Sequence, residues 1–239
     1  MISSAMTEIL RLLYAEARPQ LSDDCAGVLG MDHLALSVSV AGHATEQLWS
    51  SGKTSSLFED LQFRLGEGPG PDAVRTGLLV LAHDVSAVWA GRWPTLLPAM
   101  AHLPIEAMFC LPLSLGGITV GVLTALRSTP GPMTGQEMDD ALGLAAALTL
   151  QFLGGDGVQL DSWVDEQPNG ELHRAVVHQA TGMLSVQLNT SLGKALLRLR
   201  AYAYSHDRSI IDIAEDIVSR RLRLDADRPE SDAPDETKG

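Results

Sequence analysis

Apolar residues recur at helical spacing at the start of the chain and then alternate with small residues. The first pattern predicts an amphipathic helix that ends at Pro19, because proline cannot continue a helix. Its apolar face is formed by Met6, Ile9, Leu10, Leu12 and Leu13. The second pattern, in residues 34–40, predicts a β-strand, and a turn at Ala41 and Gly42 leads into its hairpin partner, residues 44–50.

A helix and a glycine-rich loop are predicted next. Leucines and phenylalanines in residues 57–65 predict a helix that breaks at Gly66, and the loop GEGPGP occupies residues 66–71. Pro69 and Pro71 lack the N–H donors of a phosphate cradle, and no Gly-Lys-Ser/Thr follows, so we interpret the loop as a structural turn. The elements predicted after it are a short helix to Arg75 with a stop at Gly77, a strand over 78–85 and a helix over 94–103.

Two apolar runs on either side of Gly116 and Gly117 predict a β-hairpin. The runs are residues 107–115 and 118–126. A primed turn between them needs positive φ at both central residues, which glycine allows. A long apolar helix over 134–153 follows. Strands flanked by a first and a last helix indicate an α+β domain with an antiparallel sheet over residues 1–153.

Residues 171–224 show three stretches of apolar residues at helical spacing. The apolar positions are Val176, Val177, Ala180, Met183, Leu184 and Leu188 in the first, Leu192, Ala195, Leu196, Leu199 and Ala203 in the second, and Ile213, Ala214, Ile217 and Val218 in the third. Asn189 is a stop for the first helix, and Ser209 is an N-cap for the third, with Asp212 in a capping-box-like position. The short connections predict a small three-helix bundle.

Charge supports a division of the chain into domains. The net charge is −13, but residues 1–170 carry −12, residues 171–224 carry +3 and residues 225–239 carry −4. We therefore predict a first domain over 1–153, a linker or helical joint over 154–170, a basic domain over 171–224 and a disordered acidic tail over 225–239. At physiological salt the Debye length is about 8 Å, so the acidic part need not prevent the basic part from binding a polyanion.

Composition predicts a soluble, cytoplasmic protein. Apolar residues make up 45% of the chain and charged residues 20%, which is typical of globular proteins. The N-terminus has no basic stretch or cleavage site typical of a secretory signal. The longest apolar run falls short of the roughly 20 residues that a membrane span needs, so no membrane partner is expected. The two cysteines, Cys25 and Cys110, are too few for a disulfide framework.

Two stretches of the N-terminal part are typical of a known sensing module. They are FRLGEGPGPDAVRTGLLVLAHDV, residues 63–85, and CLPLSLGGITVGVLTAL, residues 110–126. On these stretches, residues 9–153 resemble a GAF domain, a module that senses small molecules and dimerises. The resemblance implies an α+β fold, an unknown small-molecule ligand and a homodimer. Gly70 stands where related proteins often have cysteine, so a redox role of that position does not transfer.

The C-terminal segment carries three motifs in order. The first helix has Gln-Ala-Thr-Gly-Met-Leu at residues 179–184, and the others have Ala195, Leu196, Leu197 and Arg198, then Ile213, Ala214, Ile217 and Val218. On these motifs, residues 172–222 resemble an ANTAR domain, the RNA-binding module of transcription antitermination regulators. The resemblance implies binding to RNA hairpins in nascent transcripts. Thr181, where lysine is frequent, and Lys194, where an acid is usual, depart from the family.

Small residues, cations and one aromatic residue are the candidate RNA contacts. They are Ala180, Gly182, Lys194, Arg198, Tyr202, Arg220 and Arg221. Lys194 and Arg198 are four residues apart and can share a face, whereas Arg198 and Arg200 diverge by about 200°. Tyr202 and Tyr204 are both candidates for stacking on unpaired bases of an RNA loop. Alternatives stay open: helix packing for the small residues, stabilisation of a helix C-terminus for the arginines, and core packing for at least one of the two tyrosines.

No catalytic motif supports an enzyme. The sequence lacks a Gly-x-Ser-x-Gly elbow, a His-Glu-x-x-His pair and a Walker loop, and its seven histidines have no ligand spacing. Cys110, in an apolar strand, is interpreted as a small buried side chain. We expect no enzyme, no metal and no cofactor, but a signal-responsive RNA-binding regulator that acts by antitermination. A DNA-binding transcription regulator and a ligand-sensing protein-interaction scaffold remain alternatives.

Overall fold

A five-stranded antiparallel sheet with helices on both faces lies in the first of two units, and three helices make up the described part of the second. The computed structural model describes residues 1–14, 21–40, 44–153 and 168–224, and the units are residues 1–167 and 168–239. The elements of the N-terminal unit are α1 (Ser4–Tyr14), α2 (Leu21–Val28), β1 (His33–Val40), β2 (Ala44–Ser50), α3 (Gly52–Leu65), α4 (Pro69–Thr76), β3 (Val80–Ala82), α5 (Leu96–Met100), β4 (Ala107–Leu115), β5 (Ile118–Arg127) and α6 (Gly135–Leu153). Those of the C-terminal unit are α7 (Pro168–Gln187), α8 (Leu192–Ser205) and α9 (Ile210–Val218).

The sheet has the strand order β2-β1-β5-β4-β3, and every neighbouring pair is antiparallel. The predicted hairpin of β4 and β5 lies at its centre. Its turn differs from the expected one, because Gly116 has a φ of +60° while Gly117 does not lie in the positive region. Positive φ at the first central residue alone is the pattern of a type II′ turn. The predicted α+β class is confirmed.

Both faces of the sheet are buried. Phe109 and Leu111 of β4 point into a core formed with α1, α2 and α6, and Met108 and Cys110 point into a second core with Phe58 of α3 and residues of α4 and α5. Successive side chains of a strand point to opposite faces, so a central strand buried on both sides is apolar at every position. This explains the continuous apolar runs of β4 and β5.

The GEGPGP loop is fixed by a buried side chain. Gln62 of α3 is fully buried, and its Oε1 accepts the backbone N–H of Gly70 at 2.8 Å. Gly68 has a φ of +140°, and a Cβ there would overlap the Gln62 side chain. Gln62 Nε2 donates to Glu59 Oε1 at 3.0 Å, which holds the Gln62 amide in place on α3. These contacts support the structural interpretation, but residues 69–71 form the first turn of α4, so the loop predicted over 66–71 is confined to Gly66, Glu67 and Gly68.

Helix α2 was not predicted from the sequence. It is only eight residues long, and few of these residues are large and apolar, so the apolar periodicity is weak. The signal that could have found it is the pair Asp23 and Asp24 in its first turn, where acids interact favourably with the helix dipole. Cys25 and Ala26 are buried and anchor the helix to the core.

Two predicted elements are shorter than expected. The strand predicted over 78–85 pairs with β4 only at Val80–Ala82, and Leu78 is 67% exposed. The helix predicted over 94–103 spans Leu96–Met100, and at its start Glu67 Oε1 accepts the backbone N–H groups of Thr95 and Leu96, each at 2.6 Å. The length of the strand and the start of the helix therefore depend on groups distant in sequence.

The C-terminal unit is the predicted three-helix bundle. Val177, Leu184, Leu199, Ile213 and Ile217 are among its buried residues. The three helices are followed by residues with positive φ, Asn189 (+48°), Asp207 (+50°) and Arg220 (+60°), and the stop predicted at Asn189 is confirmed. Ser209 caps α9, with its Oγ accepting the N–H of Ile211 at 3.2 Å.

The boundary before the bundle differs from the predicted one. Helix α7 begins at Pro168, so residues 168–170 are helical and do not belong to the predicted joint of 154–170. Proline is favourable in the first helical turn, where its missing N–H would be unpaired in any case. Pro19, Ala41, Gly42, the remainder of the joint and the acidic tail lie outside the described residues. Within the described residues, no helix is both long and apolar enough to cross a membrane.

Candidate nucleic-acid interface

Helix α8 has one buried face and one exposed cationic face. Ala195, Leu196, Leu199 and Ala203 are buried in the bundle. Lys194 and Arg198 lie on the opposite side and are both exposed, so they share one patch as predicted. The helix contains no acidic residue. Its outer face therefore presents positive charge that no carboxylate of the same helix can neutralise.

Arg200 does not belong to this patch. It is only partly exposed, and burial lowers the pKa of its guanidinium to about 10. Desolvation has this effect because the charged form loses favourable interactions with water. The prediction that Arg198 and Arg200 cannot share a face is confirmed. Lys194 and Arg198 are the exposed cations of α8.

The two tyrosines at the end of α8 differ in exposure. Tyr202, a predicted RNA contact, is partly buried and stacks on His206, with ring centroids 3.9 Å apart and an angle of 20° between the planes. Tyr204 is 78% exposed. One face of the Tyr202 ring is thus covered within the unit, and Tyr204 is the aromatic side chain of α8 that faces solvent. Helical spacing in the sequence already indicates the exposure of Tyr204, because it places this residue opposite the buried face of α8.

The two small residues of α7 have opposite environments. Ala180 has an exposed fraction of 0%, so its side chain packs in the bundle, which is the alternative that the sequence left open for it. A Cβ added to Gly182 would meet no atom within 4 Å among the described residues. Gly182 therefore lies at an open surface, where a partner could approach the helix backbone. Thr181 is buried, and its Oγ1 donates to the Val177 carbonyl at 2.7 Å.

A carboxylate bridges two arginines at the end of the bundle. Arg208 Nη2 donates to Asp216 Oδ2 and Arg221 Nε donates to Asp216 Oδ1, each at 2.7 Å. Arg221 was a predicted RNA contact and is exposed, but its guanidinium is engaged by Asp216. Arg220 is exposed. The contribution of Arg208 was missed, because no helical spacing relates it to Asp216 on α9.

Protonation of Asp216 is expected to weaken this cluster. Hydrogen bonds from Arg208 and then Arg221 hold the pKa of Asp216 below its ordinary value of 3.8. A depressed carboxyl pKa means that the contribution to stability is present above the ordinary value and is lost as the pH falls through the folded-state pKa. We expect Asp216→Asn to lower the melting temperature of α9, followed by NMR amide signals of the full chain, at pH 7. The difference from the unsubstituted protein should shrink as the pH falls below 3.8 and disappear once the pH lies well below the folded-state pKa of Asp216; a difference that does not shrink would contradict the assignment.

Neither cysteine of the N-terminal unit is suited to thiol chemistry. Burial raises the pKa of Cys25 to about 12 and also raises the pKa of Cys110, so both thiolates are disfavoured at neutral pH. Cys110 is fully buried, as predicted, and its Sγ–H donates to Thr124 Oγ1 at 3.7 Å. Among the described residues, no group of three or more His, Cys, Asp or Glu side chains could hold a metal ion.

Comparison with known families identifies the C-terminal segment. Residues 172–218 match the family model described as ANTAR domain. The resemblance seen in the motifs of α7, α8 and α9 is thereby confirmed, and the chain carries an ANTAR domain at these residues. A comparison with curated proteins finds no match.

Solved structures similar to the chain include GAF domains. A GAF domain of a phosphoenolpyruvate-protein phosphotransferase from Coxiella burnetii is 18% identical, covers 64% of this chain and 96% of that chain, and has a TM-score of 0.49. The GAF domain of a phosphoenolpyruvate-protein phosphotransferase from Acinetobacter is 13% identical, covers 66% of this chain and 98% of that chain, and has a TM-score of 0.48. Free methionine-R-sulfoxide reductase from Neisseria meningitidis is 15% identical, covers 62% of this chain and 86% of that chain, and has a TM-score of 0.46.

Proposed function

We propose that the chain, which carries an ANTAR domain at residues 172–218, is a signal-responsive regulator that binds RNA hairpins in nascent transcripts. The GAF-like N-terminal unit would answer an unknown small-molecule signal, and the C-terminal bundle would hold an antiterminator hairpin so that the competing terminator cannot form. The family match carries the proposal. The exposed cationic face of α8 supports it.

The proposed RNA surface combines charge with close approach. Lys194 and Arg198 would neutralise phosphates, and Gly182 would let the RNA approach the backbone of α7. Arg220 adds an exposed cation after α9, and Arg221 and Tyr202 remain proposed contacts with part of their surface occupied by Asp216 and His206. Ala180 is omitted from the surface because it is buried.

The proposal includes a homodimer and a cytoplasmic location. Leu142 and Leu150 of α6 are 43% and 54% exposed, and Leu153 is 39% exposed. Their spacing places them on one side of the helix, and such an apolar stripe supports the proposed homodimer. Binding to nascent transcripts places the protein in the cytoplasm. No catalytic step is part of the proposal.

The test uses RNA recovered from cells. The full chain is crosslinked to cellular RNA, and hairpins identified by sequencing are then titrated with the purified protein at several salt concentrations. We expect these hairpins to bind more tightly than duplex DNA of the same sequence, with an affinity that falls as salt increases. Preference for the duplex DNA would favour a DNA-binding regulator.

Absence of binding to either nucleic acid would contradict the proposal. A stoichiometric protein partner, recovered equally well by the chain with Arg198→Glu, would then favour a protein-interaction scaffold. Arg198 is exposed, so this substitution changes the surface charge of α8 without disturbing the buried face of the bundle. The substitution therefore separates electrostatic binding to RNA from binding to a protein elsewhere on the surface.

A further inference from the structure

The exposed face of α8 carries an apolar stripe beside its cations. Leu197 is 65% exposed and Tyr204 is 78% exposed, and the exposed Ala201 lies between them. Spacings of four and three residues place these side chains on one side of a helix. Lys194 lies three residues before Leu197, and Arg198 lies three before Ala201, so both cations border the stripe.

The bundle does not use this stripe for its own core. The opposite face of α8 already supplies Ala195, Leu196, Leu199 and Ala203 to the interior. Single exposed apolar residues are ordinary on protein surfaces, but a leucine, an alanine and a tyrosine in line beside two cations form a patch with a defined composition. Cations for phosphates beside an aromatic ring for a base are the elements that bind single-stranded nucleic acid.

The backbone of Tyr204 lies in an ordered turn at the end of the helix. Its carbonyl accepts the N–H of Asp207 at 3.2 Å, and the carbonyl of Ala203 accepts the N–H of Arg208 at 3.0 Å. Tyr202 stacks on His206 in the same turn, and His206 Nδ1 lies 2.9 Å from the Tyr202 carbonyl. A ring presented by an ordered turn loses less conformational entropy on binding than a ring on a mobile loop.

The charge of α8 favours a polyanion as the occupant of the stripe. The exposed face of this helix carries Lys194 and Arg198 and no acid, while the exposed Asp212 and Glu215 lie on α9. Among polyanions, a duplex keeps its bases stacked and paired, whereas an RNA loop exposes bases that can stack on an aromatic side chain. The stripe is therefore suited to unpaired nucleotides and not to a paired stem.

We infer that Tyr204, with Leu197 and Ala201 beside it, forms a stacking platform for an unpaired base of the hairpin loop, and that Lys194 and Arg198 bind the adjacent phosphates. The inference rests on the proposed RNA-binding function and specifies which part of the hairpin this face recognises. It also adds Tyr204 to the proposed contacts, as the aromatic side chain of α8 that stacks on the base. Tyr202 has the supporting role of ordering the last turn through its contact with His206.

The test compares Tyr204→Ala with Tyr204→Phe in the full chain. The probe is a hairpin obtained by crosslinking, titrated over a range of salt concentrations. Stacking of one base contributes enough that Tyr204→Ala should weaken binding by roughly 5- to 150-fold, while the slope of affinity against salt stays unchanged. Tyr204→Phe keeps the ring and should bind within about twofold of the unsubstituted protein. Tyr14→Ala, which removes a tyrosine that is 58% exposed on α1, is the matched control and should have no effect.

A second probe separates the loop from the stem. The same hairpin with its loop closed by a complementary strand has no unpaired base, and Tyr204→Ala should leave its weaker binding unchanged. An equal loss on both RNAs, or a loss shared by Tyr204→Phe, would overturn the stacking inference. Unchanged hairpin affinity in Tyr204→Ala would also overturn it while the proposed function stands. If the unsubstituted protein binds no hairpin, the proposed function fails and the stacking inference fails with it.

Discussion

Replacing Lys194 and Arg198 together by glutamine is expected to weaken hairpin binding by about 25- to 60-fold at 0.1 M salt. Each phosphate contact changes the slope of log affinity against log salt by roughly 0.7 to 0.9, and this counterion contribution vanishes near 1 M salt. Removal of both phosphate-binding cations therefore reduces affinity by about 1.4 to 1.8 logarithmic units at 0.1 M salt. Titrations at several salt concentrations measure both the affinity and the slope.

The control removes the same charge from the other unit. Lys53 and Arg75 are exposed residues of the N-terminal unit, and Lys53→Gln with Arg75→Gln lowers the net charge by the same amount. We expect this variant to bind the hairpin with nearly the affinity of the unsubstituted chain, because neither residue belongs to the proposed RNA surface. Equal losses in the two variants would show that overall charge, and not the α8 patch, determines binding.

The elements predicted correctly are those whose apolar pattern is strong within their own sequence. The β4 and β5 hairpin is marked by two apolar runs around Gly116 and Gly117, and α8 is marked by a continuous helical stripe. Helix α2 has a weak pattern, and its position depends on burial of Cys25 and Ala26 against the rest of the core. The length of β3 is set by its pairing with β4, which local sequence does not encode.

In the candidate site, too, some features follow from local sequence and others depend on distant contacts. The shared face of Lys194 and Arg198 follows from a spacing of four residues on a helix, so the sequence was sufficient. The ion pairs of Asp216 with Arg208 and Arg221 depend on how the chain turns before and after α9. Periodicity also places Ala180 and Gly182 on different sides of α7, but a family motif of small residues suggests one role for both. The structure shows that their environments differ, since Ala180 is buried and a Cβ at Gly182 would meet no described atom within 4 Å.

Gly182→Ala is expected to stabilise the C-terminal bundle and weaken its binding to RNA. Alanine in a helix interior is favoured over glycine by about 0.5 to 1 kcal/mol, and the new methyl group would meet no described atom within 4 Å. The same methyl group would lie where the proposed surface contacts RNA. A misfit in a close contact costs about 1 kcal/mol or more, so affinity for the hairpin should fall at least about fivefold.

Ala180→Leu is expected to act in the opposite direction on folding. Ala180 is fully buried, and a larger side chain there should lower the free energy of unfolding by about 1 to 3 kcal/mol. Urea unfolding of the full chain, followed by NMR amide signals of α7, measures both variants, and Gly135→Ala on α6 is the control for a helical glycine in open space. Destabilisation by Gly182→Ala would make Gly182 a packing residue like Ala180. A residue at the RNA interface should gain stability from the added methyl group and lose binding from it. Unchanged RNA affinity in a stabilised Gly182→Ala protein would therefore remove this face of α7 from the proposed surface.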